Sequence, residues 1–344
     1  MKVVATTPNR IDLAGGTLDI HPLYVFEDGG LTVNLGIDIE SRVEVETRDD
    51  GRIVLHSRDL DVTEAYADLA AVRLGGTLDL LARAVRFYAP PCGVTVTTKN
   101  DAPKGSGLGA SSALLMALSG ALARVAGTEA TLNDYIDWGA NLEAQNIAIP
   151  TGKQDYFGAI YGGANAIWFE VRGNRRESLD DGSGFLDTLE QHLVLSFTGI
   201  SHFSGTNNWA MVKRYIDRSG DTVERIGQIK QTAFRMREAI LSRDMGRVAE
   251  VLDQEWTQRK GLAEGVTTPE IEAMVMAASA AGALASKICG AGGGGCMITL
   301  APPAAREAVV AALQAAGARH LPCRLRRHGL RVETVEGAVV NSSP

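Results

Sequence analysis

The periodicity of the sequence predicts an α/β fold, and three observations support that prediction. Segments 31–39 and 41–47 alternate apolar and polar residues, as strands of a half-exposed antiparallel sheet do. Segment 92–98 has the β-branched alternation of a strand and leads through glycines into a helical run at 114–124. Long amphipathic helices are then predicted at about 220–243, 245–262 and 268–282.

Length and composition limit the possible classes of protein. The 344 residues suffice for one large domain or two ordinary domains that share a cleft. A net charge of −7 provides no basic surface for nucleic acid, and the apolar runs are too short to span a membrane. Polar Asn9, Arg10 and Asp12 come too early for a signal peptide. We therefore expect a cytoplasmic protein whose four cysteines are free thiols: Cys92, Cys289, Cys296 and Cys323.

The most informative stretch is 103–113, in which Gly105, Gly107 and Gly109 precede Ser111 and Ser112. It lies between the strand at 92–98 and a helix, so its backbone N–H groups are presented at the positive end of that helix. This order predicts a site for nucleotide phosphates. The alternative is an ordinary tight turn between strand and helix. The glycine spacing matches neither a P-loop nor a dinucleotide-binding fingerprint.

The N-terminal stretch places polar residues around a glycine turn. A short strand from Val3 leads to Gly15 and Gly16 through an apolar sequence that contains Arg10 and Asp12, and Asp19 follows the turn. Residues of a functional pocket and solvated turn residues are both consistent with this pattern.

Two carboxylates are expected to approach the glycine turn at 105–109 from one helix and the segment after it. Residues 131–134 are predicted to cap the start of this helix. The helix runs from about Tyr135 to Ile149 and ends at Pro150, and Glu143 lies 12 residues before Asp155. A helix that ends between them can return both side chains to one cleft. The alternative for Glu143 is a solvated helix surface.

A second glycine-rich segment lies near the C-terminus, where five of the six residues from Gly290 to Gly295 are glycine between two strand-like pieces. Alone it is consistent with a flexible hairpin loop. The loop at 198–208 is polar, and its serines, Ser201 and Ser204, either face a substrate or cap a helix that is predicted from about Trp209.

These segments together resemble the GHMP kinases (galactokinase, homoserine kinase, mevalonate kinase and phosphomevalonate kinase). Residues 103–113 resemble the family's second motif, P-x-x-x-G-L-G-S-S-A, and residues 8–19 and 287–297 resemble its first and third motifs. The forms R-I-D-L-A-G-G-T-x-D and G-K-Q-D are similar to those of heptose-phosphate kinases and, for the first form, fucokinases. Gly16 and Thr17 stand where galactokinases carry Glu-His, which argues against a plain galactokinase.

The resemblance implies an α+β, two-lobed GHMP kinase fold. The N-terminal lobe would be like domain 2 of ribosomal protein S5, and the C-terminal lobe would be ferredoxin-like. We place an ATP-binding domain at 1–180 and a C-terminal domain at 181–344, because the polar, glycine-containing stretch at 171–190 is typical of a domain boundary or surface excursion.

The resemblance also implies ATP and Mg²⁺ as cofactors. Ser111 and Glu143 would hold the metal ion, and Asp155 would accept or orient the proton of the attacking hydroxyl. Arg10 would keep Asp155 ionised. The predicted ATP-binding residues are Lys104, Gly105, Ser106, Gly107, Leu108, Gly109, Ala110, Ser111 and Ser112.

For the acceptor, the resemblance implies a small sugar that is held by Asp19 through its hydroxyls. Lys153 would lie on the phosphate side or form a structural salt bridge. The remaining predicted substrate-binding residues are Gly16, Thr17, Gly292 and Gly293. The adenine pocket is expected within residues 40–90.

The predicted reaction is phosphorylation of an anomeric hydroxyl, with D-glycero-D-manno-heptose 7-phosphate as the leading acceptor. The alternatives are a 1-kinase for L-fucose, galactose or a uronic acid, and a sensor that binds ATP and sugar without turnover. We expect a monomer or homodimer that binds neither nucleic acid nor membrane.

Overall fold

The computed structural model describes residues 1–200 and 204–335 as helices packed on two sheets. The first sheet has eight strands: β1 (Lys2–Ala14), β2 (Gly30–Arg48), β3 (Ile53–Ser57), β4 (Val62–Tyr66), β5 (Gly93–Asn100), β6 (Ala164–Glu170), β7 (Gly173–Ser178) and β12 (Arg331–Val335). Their order is β12-β1-β2-β5-β3-β4, and β6 pairs with β2 and β7. The β3–β5 pair is parallel and the other pairs of this sheet are antiparallel.

The second sheet has four antiparallel strands in the order β11-β8-β10-β9. They are β8 (Leu193–Phe197), β9 (Ala285–Ile288), β10 (Cys296–Leu300) and β11 (Arg319–His320). Strands β8, β9 and β10 are almost entirely buried, and β8 and β10 are mainly apolar, whereas β9 carries the buried Lys287.

The helices of the described chain are α1 (Leu23–Phe26), α2 (Asp79–Tyr88), α3 (Ala110–Ala126), α4 (Leu132–Ile147), α5 (Gln154–Tyr161), α6 (Phe185–His192), α7 (Ser204–Ile216), α8 (Thr222–Leu241), α9 (Met245–Arg259), α10 (Pro269–Ala280) and α11 (Arg306–Ala315). A short 3₁₀ turn, Pro303–Ala305, precedes α11. The predicted cap of α4 is confirmed, because Thr131 and Asp134 form a capping box. The three long helices predicted after residue 220 correspond to α8, α9 and α10.

Three elements differ from the sequence prediction. The two strands predicted at 31–39 and 41–47 are one continuous strand, β2, because its first part pairs with β6 and its second part with β5. The stretch at 171–190, predicted as a domain boundary or surface excursion, contains β7 and most of α6, which ends at His192. Helix α7 begins at Ser204 rather than near Trp209, while Ser201 lies outside the described residues and the side chain of Ser204 is not described.

Apolar packing brings several helix and loop ends to the turn that follows β1. Helices α3 and α5 pack on β1 and share one apolar core with the first sheet. On the other side, α9 packs against both β9 and β1. The turn after β1 therefore lies between the N-terminal ends of α3 and α5 and the loop that joins β9 to β10.

Among the helices described, none combines the length and the apolar character needed to cross a membrane.

Candidate active site

One cavity of about 850 Å³ opens beside the turn after β1. Its walls come from that turn, the first residues of α3 and α5, and the loop between β9 and β10. It brings together most of the residues predicted from the sequence: Arg10, Thr17, Asp19, Lys104, Gly105, Ser106, Gly107, Gly109, Ala110, Ser111, Ser112, Glu143 and Asp155.

The first glycine turn, residues 105–109, forms part of the cavity wall. Gly105, Gly107 and Gly109 have φ values of +69°, +70° and +73°, a conformation that glycine adopts without steric cost. Helix α3 begins immediately afterwards, and among the described residues no side chain caps its N-terminus. The turn therefore presents the positive end of a 17-residue helix to the cavity. Leu108 differs from the other predicted contacts because it is fully buried in the apolar core.

Arg10 and Asp155 form the central ion pair, although they are 145 residues apart in sequence. Arg10 Nε and Nη2 lie 2.7 and 2.6 Å from Asp155 Oδ1. A third group, Arg10 Nη1, donates to the carbonyl oxygen of Gly107 at 2.6 Å. Burial raises the pKa of Asp155 above its ordinary value, whereas Arg10 acts in the opposite direction. The predicted influence of Arg10 is present, but burial outweighs it.

Glu143 lies on α4 and turns back toward the start of α3. Its Oε2 accepts hydrogen bonds from Ser112 Oγ, at 2.7 Å, and from the hydroxyl of Tyr156. Burial raises the pKa of Glu143, while hydrogen bonds from Tyr156, Ser112 and Ser111 lower it. Carboxylate and hydroxyl oxygens thus converge at the helix N-terminus, and such oxygens are the ligands that Mg²⁺ prefers. Tyr156 was not predicted, and its adjacency to Asp155 is the only signal for it in the sequence.

Asp19 also lines the cavity, next to the start of α5. It is 3% exposed, and its Oδ2 accepts a hydrogen bond from the backbone N–H of Gln154 at 3.0 Å. Burial and the nearby charge of Asp155 raise the pKa of Asp19 to about 6. A side chain at Gly152 would collide with Asp19, since a Cβ there would lie 2.0 Å from Oδ2. The cavity therefore places two carboxylates on neighbouring walls.

Buried ion pairs that were not predicted fix the walls of this site. Lys287 Nζ lies 2.6 Å from Asp12 Oδ2, and both side chains are fully buried. The other oxygen, Asp12 Oδ1, accepts from Gly290 N–H at 2.7 Å and lies 3.7 Å from Arg10 Nη1. The charges of Lys287 and Arg10 lower the pKa of Asp12 although burial opposes them. The charged residues inside apolar segments are the only sequence signal for this link.

A second buried pair joins Glu255 and Arg259 on α9, at 2.8 Å. Arg259 also donates to the carbonyl oxygen of Gly16 at 2.7 Å and to Thr17 Oγ1 at 3.2 Å. Thr17 has a φ of +79°, which is unusual for a β-branched residue and is supported by these contacts. Helix α9 therefore holds the turn after β1 in place.

Four of the predicted substrate-binding residues are not part of the cavity wall. Gly16 faces Arg259, because a Cβ at this position would lie 2.8 Å from Nη2. Lys153 forms an ion pair with Asp137 at 2.6 Å and faces a separate groove. Gly292 and Gly293 belong to the second glycine turn, residues 290–295. Gly293 N–H donates to Val266 O at 2.7 Å, and a Cβ at Gly292 would collide with the same residue. From this turn, Gly290 and Ala291 line the cavity instead.

A further part of the cavity wall is apolar. It includes Leu60, Leu114, Ile147 and Pro150, and the amide side chains of Asn100 and Asn146 also line the cavity. Leu60 and the adjacent Asp59 fall within the range 40–90 in which an adenine pocket is expected.

The chain is similar in sequence to known kinases. Residues 70–163 match the family described as GHMP kinases N terminal domain, and residues 236–319 match GHMP kinases C terminal. D-glycero-alpha-D-manno-heptose 7-phosphate kinase of Campylobacter jejuni is 30% identical over 325 residues, which cover 91% of this chain and 94% of that protein. Mevalonate kinase of Thermococcus onnurineus is 29% identical, with 97% of this chain and 99% of that protein covered.

The fold is similar to a solved structure as well. A crystal structure of a D-glycero-D-manno-heptose 1-phosphate kinase from Bacteriodes thetaiotaomicron superposes with a TM-score of 0.79 and 26% identity, and the match covers 97% of this chain and all of that one.

Proposed function

The chain belongs to the GHMP kinases, and from that membership we propose that it transfers the γ-phosphate of ATP to the anomeric hydroxyl of a sugar. One observation carries the proposal. Asp155, bound by Arg10, lies in the same cavity as the first glycine turn and Asp19. A site for a triphosphate and a site for a polyhydroxylated acceptor therefore meet at a carboxylate that can take a proton.

The first glycine turn fits the phosphates of ATP. Its backbone N–H groups and the uncapped start of α3 offer hydrogen-bond donors and a favourable dipole to an anion. Ser111 and Glu143 would hold Mg²⁺, which would neutralise charge that develops on the phosphate oxygens. The apolar wall at Leu60, Ile147 and Pro150 suits the adenine ring.

The chain's own groups account for activation of the acceptor. Asp155 would accept the proton of the attacking hydroxyl, and its raised pKa suits a base that works near neutral pH. Arg10 fixes the orientation of Asp155 through two short contacts and offsets negative charge at the transfer point. Asp19, ionised above pH about 6, would accept hydrogen bonds from sugar hydroxyls in the same cavity.

The leading acceptor is D-glycero-D-manno-heptose 7-phosphate. The motif forms around Asp19 and Asp155 and the similarity to the Campylobacter jejuni enzyme support this choice. An unphosphorylated sugar is the second candidate, and one observation favours it. In the described part of the cavity wall the cations are Arg10, which is paired with Asp155, and Lys104, which adjoins the first glycine turn.

An ADP-release assay with a panel of acceptors tests the proposal. Heptose 7-phosphate, heptose, L-fucose, galactose and a uronic acid are each supplied with Mg·ATP, and ³¹P NMR identifies a glycosyl phosphate in the product. Turnover of unphosphorylated sugars alone would select the second candidate. ATP binding without turnover of any sugar would instead favour a sensor and overturn the proposal.

The Asp155→Asn variant tests the assigned base. We expect kcat to fall on the order of 10²–10⁴-fold, while the affinity for a non-hydrolysable ATP analogue changes little. Asp137→Asn is the matched control, since Asp137 pairs with Lys153 outside the cavity and its loss should leave kcat unchanged. Persistent transfer in Asp155→Asn would remove the role that we assign to this residue.

A further inference from the structure

Gln154 is a buried side chain with no assigned role that lines the cavity beside Asp19. It is 4% exposed, and among the described residues no group hydrogen-bonds to its side-chain oxygen, Oε1. A buried polar atom without a partner is costly, and structures normally satisfy such atoms. We propose that the Gln154 carboxamide binds a hydroxyl of the acceptor and helps to determine which sugar is used. This inference rests on the proposed function.

The backbone of Gln154 is fixed on both sides. Its N–H donates to Asp19 Oδ2 at 3.0 Å, and its carbonyl oxygen accepts from Asn34 Nδ2 at 2.9 Å. Asn34 is held in turn by Asn165, at 3.0 Å, and Arg176 donates to Asn165 Oδ1 at 2.7 Å. A chain of three hydrogen bonds therefore connects the first residue of α5 to an arginine on β7.

The side chain of Gln154 is confined as well. A Cβ at Gly16 would lie 3.3 Å from Gln154 Nε2 and 2.8 Å from Arg259 Nη2. The glycine at position 16 therefore makes room for the carboxamide on one side and for the guanidinium on the other. This packing explains why position 16 is glycine without any direct contact between that glycine and the substrate. Gln154 still lines the cavity.

The chemistry of this part of the wall favours a sugar hydroxyl as the partner. Asp19 and Asp155, on either side of Gln154, can only accept hydrogen bonds when ionised, whereas a carboxamide both accepts and donates. A hydroxyl has the same dual character, so one hydroxyl can bind Gln154 and a neighbouring hydroxyl can bind Asp19. A site built to bind a hydroxyl discriminates strongly against an analogue that lacks it, because the buried protein group is then left unpaired.

The Gln154→Leu variant tests the inference on the full chain. With the best acceptor from the panel, we expect kcat/KM for the acceptor to fall about 10–100-fold, while KM for ATP stays within about twofold. Gln254→Leu is the matched control. It makes the same substitution at a second glutamine whose Oε1 has no partner among the described residues, but which lies on α9 outside the cavity.

Deoxy analogues of the acceptor separate recognition from a general structural effect. We expect wild-type protein to discriminate against the analogue that lacks one particular hydroxyl, and Gln154→Leu to treat that analogue and the parent sugar nearly alike. Equal discrimination in both proteins, or an unchanged kcat/KM in Gln154→Leu, would overturn the inference. If the wild-type protein phosphorylates no sugar, the proposed function itself fails, and this result precedes any measurement on the variant.

Discussion

The first glycine turn and the second glycine turn both consist mainly of glycine at positive φ, but they meet different surroundings. Gly105, Gly107 and Gly109 all line the cavity at the start of α3. In the second glycine turn only its first two residues, Gly290 and Ala291, line it. The others are buried against Val266, Ile200 and the backbone of the first glycine turn.

The two turns touch each other, and this contact explains why the second turn is rich in glycine. A Cβ at Gly295 would lie 2.6 Å from the carbonyl oxygen of Ser106, and the N–H of Cys296 donates to that oxygen at 2.7 Å. In the first glycine turn, glycine allows positive φ at the cavity wall, and Gly107 also allows a close approach, because a Cβ there would lie 2.7 Å from Cys289 O. The second uses glycine chiefly so that two backbones can approach closely. Equal glycine content therefore does not indicate an equal role in ligand binding.

Gly109→Ala is expected to have the largest effect on activity. A Cβ at this position would lie 2.9 Å from Asp155 Cγ, so the carboxylate would have to leave Arg10 or the turn would have to shift. We expect kcat to fall on the order of 10²-fold, since small displacements of reacting groups have effects of this size. Steady-state kinetics measure the change.

Gly127→Ala is the control for that variant. Gly127 ends the same helix at a φ of +68°, but open space surrounds its Cβ position. Its substitution carries only the backbone cost, roughly 1–2 kcal/mol, and should leave kcat unchanged. A similar kcat in both variants would show that the contact between Gly109 and Asp155 does not matter.

Gly292→Ala should affect stability rather than catalysis. Its φ is +79°, and a Cβ would lie 2.6 Å from Val266 Cγ1 and 2.8 Å from Val266 O. We expect a loss of roughly 2 kcal/mol or more in the free energy of unfolding, with kcat of the folded protein near the wild-type value. Denaturant unfolding compares it with Gly265→Ala, where φ is +83° and the Cβ position is open. A lower kcat at unchanged stability would contradict the distinction between the turns.

Mild acid should slow transfer without weakening the fold, and this effect should be smaller than those of the substitutions at Gly109 and Gly292. Asp19 has a pKa of about 6, so its ionised form is lost as pH falls toward 5, and the raised pKa of Asp155 acts in the same direction. We expect kcat/KM for the acceptor to drop roughly tenfold between pH 7 and pH 5. Protonation of these two buried carboxylates does not weaken the fold, because their raised pKa values mean that the folded state binds those protons more tightly.

The pKa of Asp12 is shifted in the opposite direction. Its pKa is lowered in the folded protein, so its contribution to stability is present above its ordinary pKa of 3.8 and is lost only as pH falls below that value. Asp12 anchors Gly290 of the second glycine turn. Thermal unfolding at pH 5 should therefore show an intact fold under conditions in which transfer has already slowed. A parallel loss of stability and activity between pH 7 and pH 5 would contradict this assignment.

Several features could be predicted because they depend on local chemistry. Alternating β-branched residues, an N-cap threonine and glycines that precede a helix act within a few residues of chain, and the sequence indicated β5, the cap of α4 and the first glycine turn accordingly. Family membership followed from the order and spacing of short motifs. The roles of Asp155, Glu143 and Asp19 stay predictions, although the structure places all three at one cavity.

Other features could not be predicted because they depend on partners far away in sequence. Lys287 pairs with Asp12 across 275 residues, and Arg259 reaches Gly16 across 243. The placement of Gly292, Gly293 and Lys153 away from the cavity depends on Val266 and Asp137, which no motif identifies. Strand β12 adds to the edge of β1 near the start of the chain, and its own five residues contain no signal for that pairing.

The sequence by itself determined strand β5, the three long helices after residue 220 and the glycine turns, and which side chains could supply phosphate binding, metal binding and a base. These properties follow from backbone preference and functional-group chemistry. The tertiary structure alone decided which glycines face the cavity, which buried charges pair and which cavity-lining carboxamide has an oxygen without a partner among the described residues. Those outcomes depend on close packing and desolvation between distant segments, and such energies exist only once the segments are in contact.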